Sequence, residues 1–224
     1  EYSNEGKYIR TMWMPDDAPY GYDARVLPRL NRLLTSSFTG WNNYMMDFGQ
    51  MLADPEAMKR FGNTMVLWDF HARKPIQTFE VPGAPLEIRW ALQPQHNYAF
   101  TSTALTAQLW LIRQKEDGSF EAKAVSDIGD PSKIPLPVDI SLSADDTTLF
   151  VDSFLDGMCR VYNVDDPDKP ALIHEKKIGS QVNMVSQSWD GKRIYFTSSL
   201  LANWDKKEDQ DEQYFKAYSW NGER

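Results

Sequence analysis

One pattern constrains this chain more than any other: a single strand–turn–strand grammar is written four times. Each copy has an apolar strand, a polar turn, and a second strand ending in small hydroxyl or polar residues. The second strands are 32–37, 98–103, 149–153 and 194–199. A third strand carrying an aromatic follows each of them, at 66–69, 108–111, 160–163 and 216–219, with Trp68, Trp110, Tyr162 and Tyr218 as the aromatics. With Leu34, Phe100, Phe150 and Phe196 as equivalent points, the steps are 66, 50 and 46 residues. The last two lie near the roughly 40–50 residues of a four-stranded propeller blade. The long first step holds an insertion at about 39–61.

The turns fit that reading. Ser143-Ala144-Asp145-Asp146 and Ser188-Trp189-Asp190-Gly191 fall between first and second strands, and Asp-Gly is a strong hairpin signal. Lys115-Glu116-Asp117-Gly118 and Asp165-Asp166-Pro167-Asp168-Lys169-Pro170 fall between third and fourth strands, and fourth strands follow, as at 76–81 and 120–125. Helical signal is scarce and strongest at 54–61, with Asp54 as N-cap, Pro55 at the first helical position and Gly62 closing the helix. Because this helix lies in the insertion, it is expected to decorate a blade edge rather than build the core. The expected fold class is all-β: a β-propeller of about four four-stranded blades with a short helical insertion. The approximate repeats are 21–82, 83–135, 136–179 and 180–224.

Both ends fall at the same point of the repeat. Residues 4–11 read as a turn and an orphan fourth strand, so that 1–20 end a preceding blade. Asn221-Gly222 reads as a hairpin turn without its return strand. An open arc exposes strand edges and apolar inter-blade faces. The expectation is therefore an arc cut from a larger ring.

Composition narrows the function classes. The 24 Lys+Arg against 32 Asp+Glu give a net charge of −8 and a pI near 4.9. A sequence-independent nucleic-acid binder needs a basic face instead. The 42% hydrophobic content, recurring throughout, excludes a disordered polyampholyte. No apolar stretch approaches the roughly 20 residues that span a bilayer. The single Cys159 rules out an internal disulfide framework. Common catalytic and nucleotide motifs are absent: there is no G-x-S-x-G, Walker A, G-x-G-x-x-G or C-x-x-C. His174-Glu175-Lys176-Lys177-Ile178 begins like a zincin helix, but Ile stands where the second His must be, and the stretch is strand-like. Asp165, Asp166 and Asp168 lack the Gly and distal Glu of a calcium loop. The five acids and two lysines of 205–213 read as a solvated loop. His71, His96 and His174 sit near turns or in outer strands.

One constellation stands above this background. The first strand of each propeller blade lines the central channel, where ligand-facing groups converge. Here those strands hold Gly21-Tyr22-Asp23, Pro85-Leu86-Glu87-Ile88-Arg89, Pro137-Val138-Asp139-Ile140 and Gln181-Val182-Asn183-Met184. Tyr22, Asp23, Glu87, Arg89, Asp139 and Asn183 are the channel-lining candidates. Two readings stay open. In one, Glu87–Arg89 is a structural ion pair and the aspartates satisfy backbone amides. In the other, an acidic ring orients or tunes a metal or substrate.

At these residues a resemblance emerges. Asp190-Gly191-Lys192-Arg193-Ile194-Tyr195-Phe196-Thr197-Ser198-Ser199-Leu200, closed by Ala202-Asn203-Trp204-Asp205-Lys206, resembles a distinctive segment of the selenium-binding protein/methanethiol oxidase family. Pro85-Leu86-Glu87-Ile88-Arg89-Trp90 is similar to a second segment. The stretch from Asp139-Ile140-Ser141-Leu142-Ser143 to Lys169-Pro170 resembles a third, and Gly21-Tyr22-Asp23 a fourth, in the same order. The insertion also has a counterpart in the family.

The resemblance implies a seven-bladed ring of roughly twice this length. It implies an enzyme that turns methanethiol, O₂ and water into formaldehyde, hydrogen sulfide and hydrogen peroxide. It associates bacterial members with copper and the periplasm, and animal or archaeal ones with the cytoplasm. The family's candidate metal ligands lie on blades outside this segment. No catalytic residue and no metal ligand is therefore assigned to His71, His96, His174 or Cys159. The partners it implies are the thiol, O₂, the remaining blades and further copies of the chain. The alternatives are a non-catalytic selenium-binding or protein-interaction propeller and a lactonase-like hydrolase.

Overall fold

The computed structural model describes residues 1–201, 204 and 213–223. The closing motif at 202–206, apart from Trp204, lies outside the described residues, as does the acidic run up to 212.

Four antiparallel sheets follow one another along the chain. The first contains β1 (Gly21–Leu27), β2 (Arg32–Ser37), β3 (Thr64–Asp69) and β4 (Lys74–Glu80). The second contains β5 (Pro85–Trp90), β6 (Tyr98–Thr103), β7 (Gln108–Gln114) and β8 (Phe120–Asp127). The third contains β9 (Pro137–Leu142), β10 (Thr148–Ser153), β11 (Met158–Asn163) and β12 (Ala171–Lys177). The fourth has three strands among the described residues: β13 (Val182–Gln187), β14 (Arg193–Ser198) and β15 (Phe215–Ser219). Strand order equals chain order in every sheet, each strand pairing antiparallel with the next. The first strands β1, β5, β9 and β13 pack against one another, whereas of the fourth strands only β4 and β8 come into substantial contact. The sheets therefore fan out as blades from a line of inner strands.

Apolar clusters fill the wedges between blades. Leu34, Leu67, Phe79, Ile88 and Phe120 pack between the first two sheets. Phe100, Leu111, Ile140, Leu149 and Tyr162 pack between the second and third. Phe150, Val161, Ile194 and Phe196 pack between the third and fourth, with Tyr218 against them. Full burial of such a side chain contributes about 1.5–3 kcal/mol. Trp110, Tyr162 and Tyr218, the aromatics of three of the third strands, each pack in such a wedge. Trp68 packs instead with Leu33, Val66 and Ala18, alongside Met12 and Met14, so the segment before β1 covers the outer face of the first sheet.

Two expectations are corrected. Residues 4–11 form no strand. Tyr2 and Tyr8 make an isolated bridge, and Ser3 N and Ile9 N donate to Lys7 O and Glu1 O. These backbone groups are satisfied within one small turn, which leaves no ladder to extend a sheet. The insertion, in turn, is more than edge decoration. It is closed by a Thr39–Phe61 bridge and contains α1 (Trp41–Tyr44), α2 (Phe48–Ala53) and α3 (Pro55–Lys59). Asp54 caps α3 by accepting from Glu56 N, but the C-cap is Arg60 rather than Gly62. Gly62 lies against Ser37, whose carbonyl oxygen occupies the space a Cβ would need. Phe48, Met51, Ala57 and Phe61 join Leu86, Val138 and Phe154 in one buried cluster. Leu86 and Val138 lie at the starts of β5 and β9, so the insertion closes over the end of the fan where those inner strands begin. Trp204 completes this cover, donating from Nε1 to Met46 O at 3.1 Å and packing on Phe48 at 5.0 Å between ring centres.

Candidate functional site

The inner strands carry a recurring defect. Register shifts fall between Gly21 and Ala24, Pro85 and Ile88, opposite Asp152 and Ser153 in the third sheet, and between Val182 and Met184. Bulges interrupt the ladder and re-aim side chains. The residues left out of pairing include Tyr22, Asp23, Glu87 and Asn183, with Asp139 beside the third shift. The repeat thus places a polar side chain at one matching point of every inner strand.

All four sheets are tied together at these points. Glu87 Oε2 accepts from Arg25 Nη2 at 3.1 Å and from Arg89 Nη1 at 3.0 Å. Arg89 then reaches the third sheet, its Nη2 donating to Asp139 Oδ1 at 2.8 Å. Asp23 Oδ2 accepts from Arg25 Nε and from Ile88 N, both at 2.9 Å. Asp139 Oδ2 accepts from Val185 N of the fourth sheet at 2.9 Å, and its Oδ1 accepts from Ile140 N at 2.8 Å. The Glu87–Arg89 ion pair is therefore present, and Asp23 and Asp139 satisfy backbone amides of their neighbours. Asn183 stays outside this ladder, donating from Nδ2 to Ser199 O within its own sheet at 2.8 Å.

Tyr22 retains 45% of its surface exposed and packs edge-on against Phe38 at 5.5 Å. Phe38 packs on Phe61 of the insertion at 5.3 Å, which links the ladder to its cover. Partial burial, followed by the charges of Glu87, Asp139 and Asp23, pushes the Tyr22 phenol up and keeps it protonated. Asp139 is 1% exposed, and burial outweighs the neighbouring Arg89 to raise its carboxyl to about 6. Two residues belong to this cluster that the sequence pattern left unassigned. Arg25 bridges Asp23 and Glu87. Asp152 accepts from Asp139 N at 2.9 Å and is wholly buried. Its signal in the sequence is an acid at a place where the first two repeats carry a serine.

The described residues do not fit a copper centre. Among the described residues no group of three or more His, Cys, Asp and Glu side chains is arranged to hold a metal ion. His71 follows β3, and His174 stands on the outer strand β12 near Trp220. His96 is committed to Asp146, with Nδ1 at 2.8 Å from Oδ2. Cys159 is buried in the wedge with Phe150, and burial pushes its thiol up. No described helix is long and apolar enough to cross a membrane.

Comparisons with known proteins match nearly the whole chain. The family described as 56 kDa selenium binding protein (SBP56) matches residues 6–217. Methanethiol oxidase of Ruegeria pomeroyi is 61% identical over 236 residues, covering 99% of this chain and 54% of that protein. Methanethiol oxidase of a Hyphomicrobium species is 58% identical over 224 residues, covering 99% of this chain and 52% of its own length. The chain thus spans about half the length of the curated relatives it matches. In fold it is similar to a hypothetical selenium-binding protein from Sulfolobus tokodaii, with a TM-score of 0.76 at 23% identity over 90% of this chain and 52% of that one. With repeat, inner-strand motifs and family match all running along nearly its whole length, the chain belongs to the 56 kDa selenium-binding protein (SBP56) family.

Proposed function

We propose that this chain is part of a methanethiol oxidase, which converts methanethiol, O₂ and water to formaldehyde, hydrogen sulfide and hydrogen peroxide. The observation that carries the reading is the 61% identity to the Ruegeria pomeroyi methanethiol oxidase over 99% of this chain. In this reading the chain supplies one wall of the reaction chamber. The Arg25–Glu87–Arg89–Asp139 ladder holds the inner strands of neighbouring blades in fixed register, and rigid positioning is what an enzyme wall contributes to orientation. The Tyr22 hydroxyl and the Glu87 carboxylate are the polar groups it offers to a bound thiol or water. The apolar cover made by the insertion limits water at one end.

The reading includes copper, bound by ligands outside this segment, and for a bacterial protein a periplasmic location. A soft thiolate suits copper chemically. A seven-bladed ring, with the remaining blades as partners of this arc, belongs to the same proposal. The test is to purify the intact protein, measure bound copper, and follow methanethiol-dependent O₂ consumption. Copper-dependent consumption supports the reading. A metal-free protein without thiol turnover that still binds a protein partner favours the interaction-propeller alternative.

A further inference from the structure

The second strands of the first three sheets share a position. Ser36, Ser102 and Asp152 occupy it, each directly opposite the residue that leads its third strand into the wedge: Met65, Leu109 and Cys159. All three side chains are wholly buried. In the first sheet Ser36 Oγ accepts from Asp23 N at 3.1 Å, and in the third Asp152 Oδ1 accepts from Asp139 N at 2.9 Å. The job is the same: a side-chain oxygen satisfies the amide freed by the bulge of the inner strand. In the first sheet a neutral hydroxyl does that job.

Asp152 has a second oxygen that the job does not need. Its Oδ2 is buried and has no hydrogen-bond partner. An ionised carboxylate in that position would leave a charge-bearing oxygen without a donor in a low-dielectric interior, at a cost that a neutral acid avoids. The neighbouring charges do not remove that cost. The titratable and charged groups facing Asp152 are Asp139 on β9, Glu87 and Arg89 on β5, and the Cys159 thiol on β11. β13, which also packs on β10, presents no titratable side chain. Arg89 is the one cation of this set, and its two terminal nitrogens are already engaged with Glu87 and Asp139.

We propose that Asp152 is a positioning residue that carries a proton at neutral pH, an acid standing where the neighbouring blades carry a hydroxyl, and that it thereby leaves Asp139 as the ionised member of the pair. Burial and then the adjacent Asp139 charge push the Asp152 carboxyl well above the usual carboxylate range, in the same direction as the geometry. Asp139 is thus free to hold Arg89 and Val185 N, and one exchangeable proton is stored a single residue behind the proposed chamber wall. The presence of the proton rests on the contacts alone. Its value to turnover rests on the oxidase reading.

Infrared spectroscopy of the intact protein at neutral pH tests the assignment without using activity. The carboxylic-acid carbonyl band of the unmodified protein should lose one component in Asp152→Asn. Asp152→Ser, which installs the side chain of the first two sheets, should lose the same component. Stability should also change its pH dependence: the unmodified protein weakens as pH rises above the ordinary aspartate range, and both variants should lose part of that slope. An unchanged acid band in the two variants, or an unchanged slope, means that Asp152 is ionised and overturns the proposal. Loss of the band in a protein that does not oxidise methanethiol leaves the assignment standing and sinks the oxidase reading instead.

Discussion

Arg89 and Asp139 lie 50 residues apart in sequence and meet at 2.8 Å across the junction of the second and third blades. The pair is asymmetric. Asp139 is 1% exposed at its side chain, while Arg89 keeps 23% and turns its other terminal nitrogen to Glu87. The planar fork of the guanidinium gives each carboxylate its own terminal nitrogen in fixed geometry, whereas an ammonium must serve both from one nitrogen.

Removing the arginine leaves a buried acid without its cation. Arg89→Ala should destabilise the protein by about 3–5 kcal/mol, the range for breaking one side of a buried ion pair. Arg89→Lys should recover only part of that loss. Denaturant unfolding of the three proteins checks the order, and equal midpoints for all three would show that the ladder contributes nothing.

The acid itself gives a pH dependence. Burial raises Asp139 to about 6 in the folded protein, above its ordinary value of 3.8. A raised acid favours the fold in its protonated state, so its contribution is fully present below the ordinary value. It is lost as pH rises through about 6. Melting temperature measured from pH 4 to pH 7 should therefore fall more steeply for the unmodified protein than for Asp139→Asn. Parallel curves would contradict the assignment.

The insertion is pinned by one buried amide. Asn43 Nδ2 donates to Thr39 Oγ1 and to Ala57 O, both at 3.0 Å, and its Oδ1 accepts from Arg60 Nη2 at 3.1 Å. Asn43→Ala removes three hydrogen bonds that close the insertion, each contributing about 0.5–1.5 kcal/mol. Hydrogen exchange should accelerate across 39–61 and remain slow in β6 and β10. Uniform acceleration would mean that the insertion and blades open together.

A turn-to-turn clamp offers a separate check on how blades are joined. Asp146, in the turn before β10, accepts from Leu92 N, Gln93 N and His96 Nδ1 of the turn before β6, all at 2.8 Å. Asp146→Ala should lower stability by about 1–3 kcal/mol, because two amides lose their acceptor inside a junction. Thermal unfolding identical to the unmodified protein would place those amides on water instead.

The blades were legible in the sequence because alternation and turn chemistry act locally. Asp190-Gly191 and Asp117-Gly118 mark hairpins whatever lies around them, with Gly118 and Gly191 at positive φ. The polar points of the inner strands were legible for the same reason, since each repeat puts them at one offset. What escaped depends on partners distant in sequence. Asp152 reads as one more polar residue at the end of a strand until its contact with Asp139 is seen. The insertion reads as decoration until Phe48 is found against Phe154 at 5.9 Å, more than a hundred residues away. Residues 4–11 look strand-like, yet a strand needs a neighbour to accept its hydrogen bonds.

The most direct measurement is product analysis of methanethiol turnover by the intact protein and its Glu87→Gln variant. Glu87 holds both Arg25 and Arg89, and Gln preserves its shape while removing its charge. The unmodified protein should yield formaldehyde, sulfide and peroxide in equal amounts. Turnover should fall about 10-fold or more in the variant, with the fold retained. Absence of the three products would contradict the oxidase reading, and undiminished turnover in Glu87→Gln would confine the ladder to structural support.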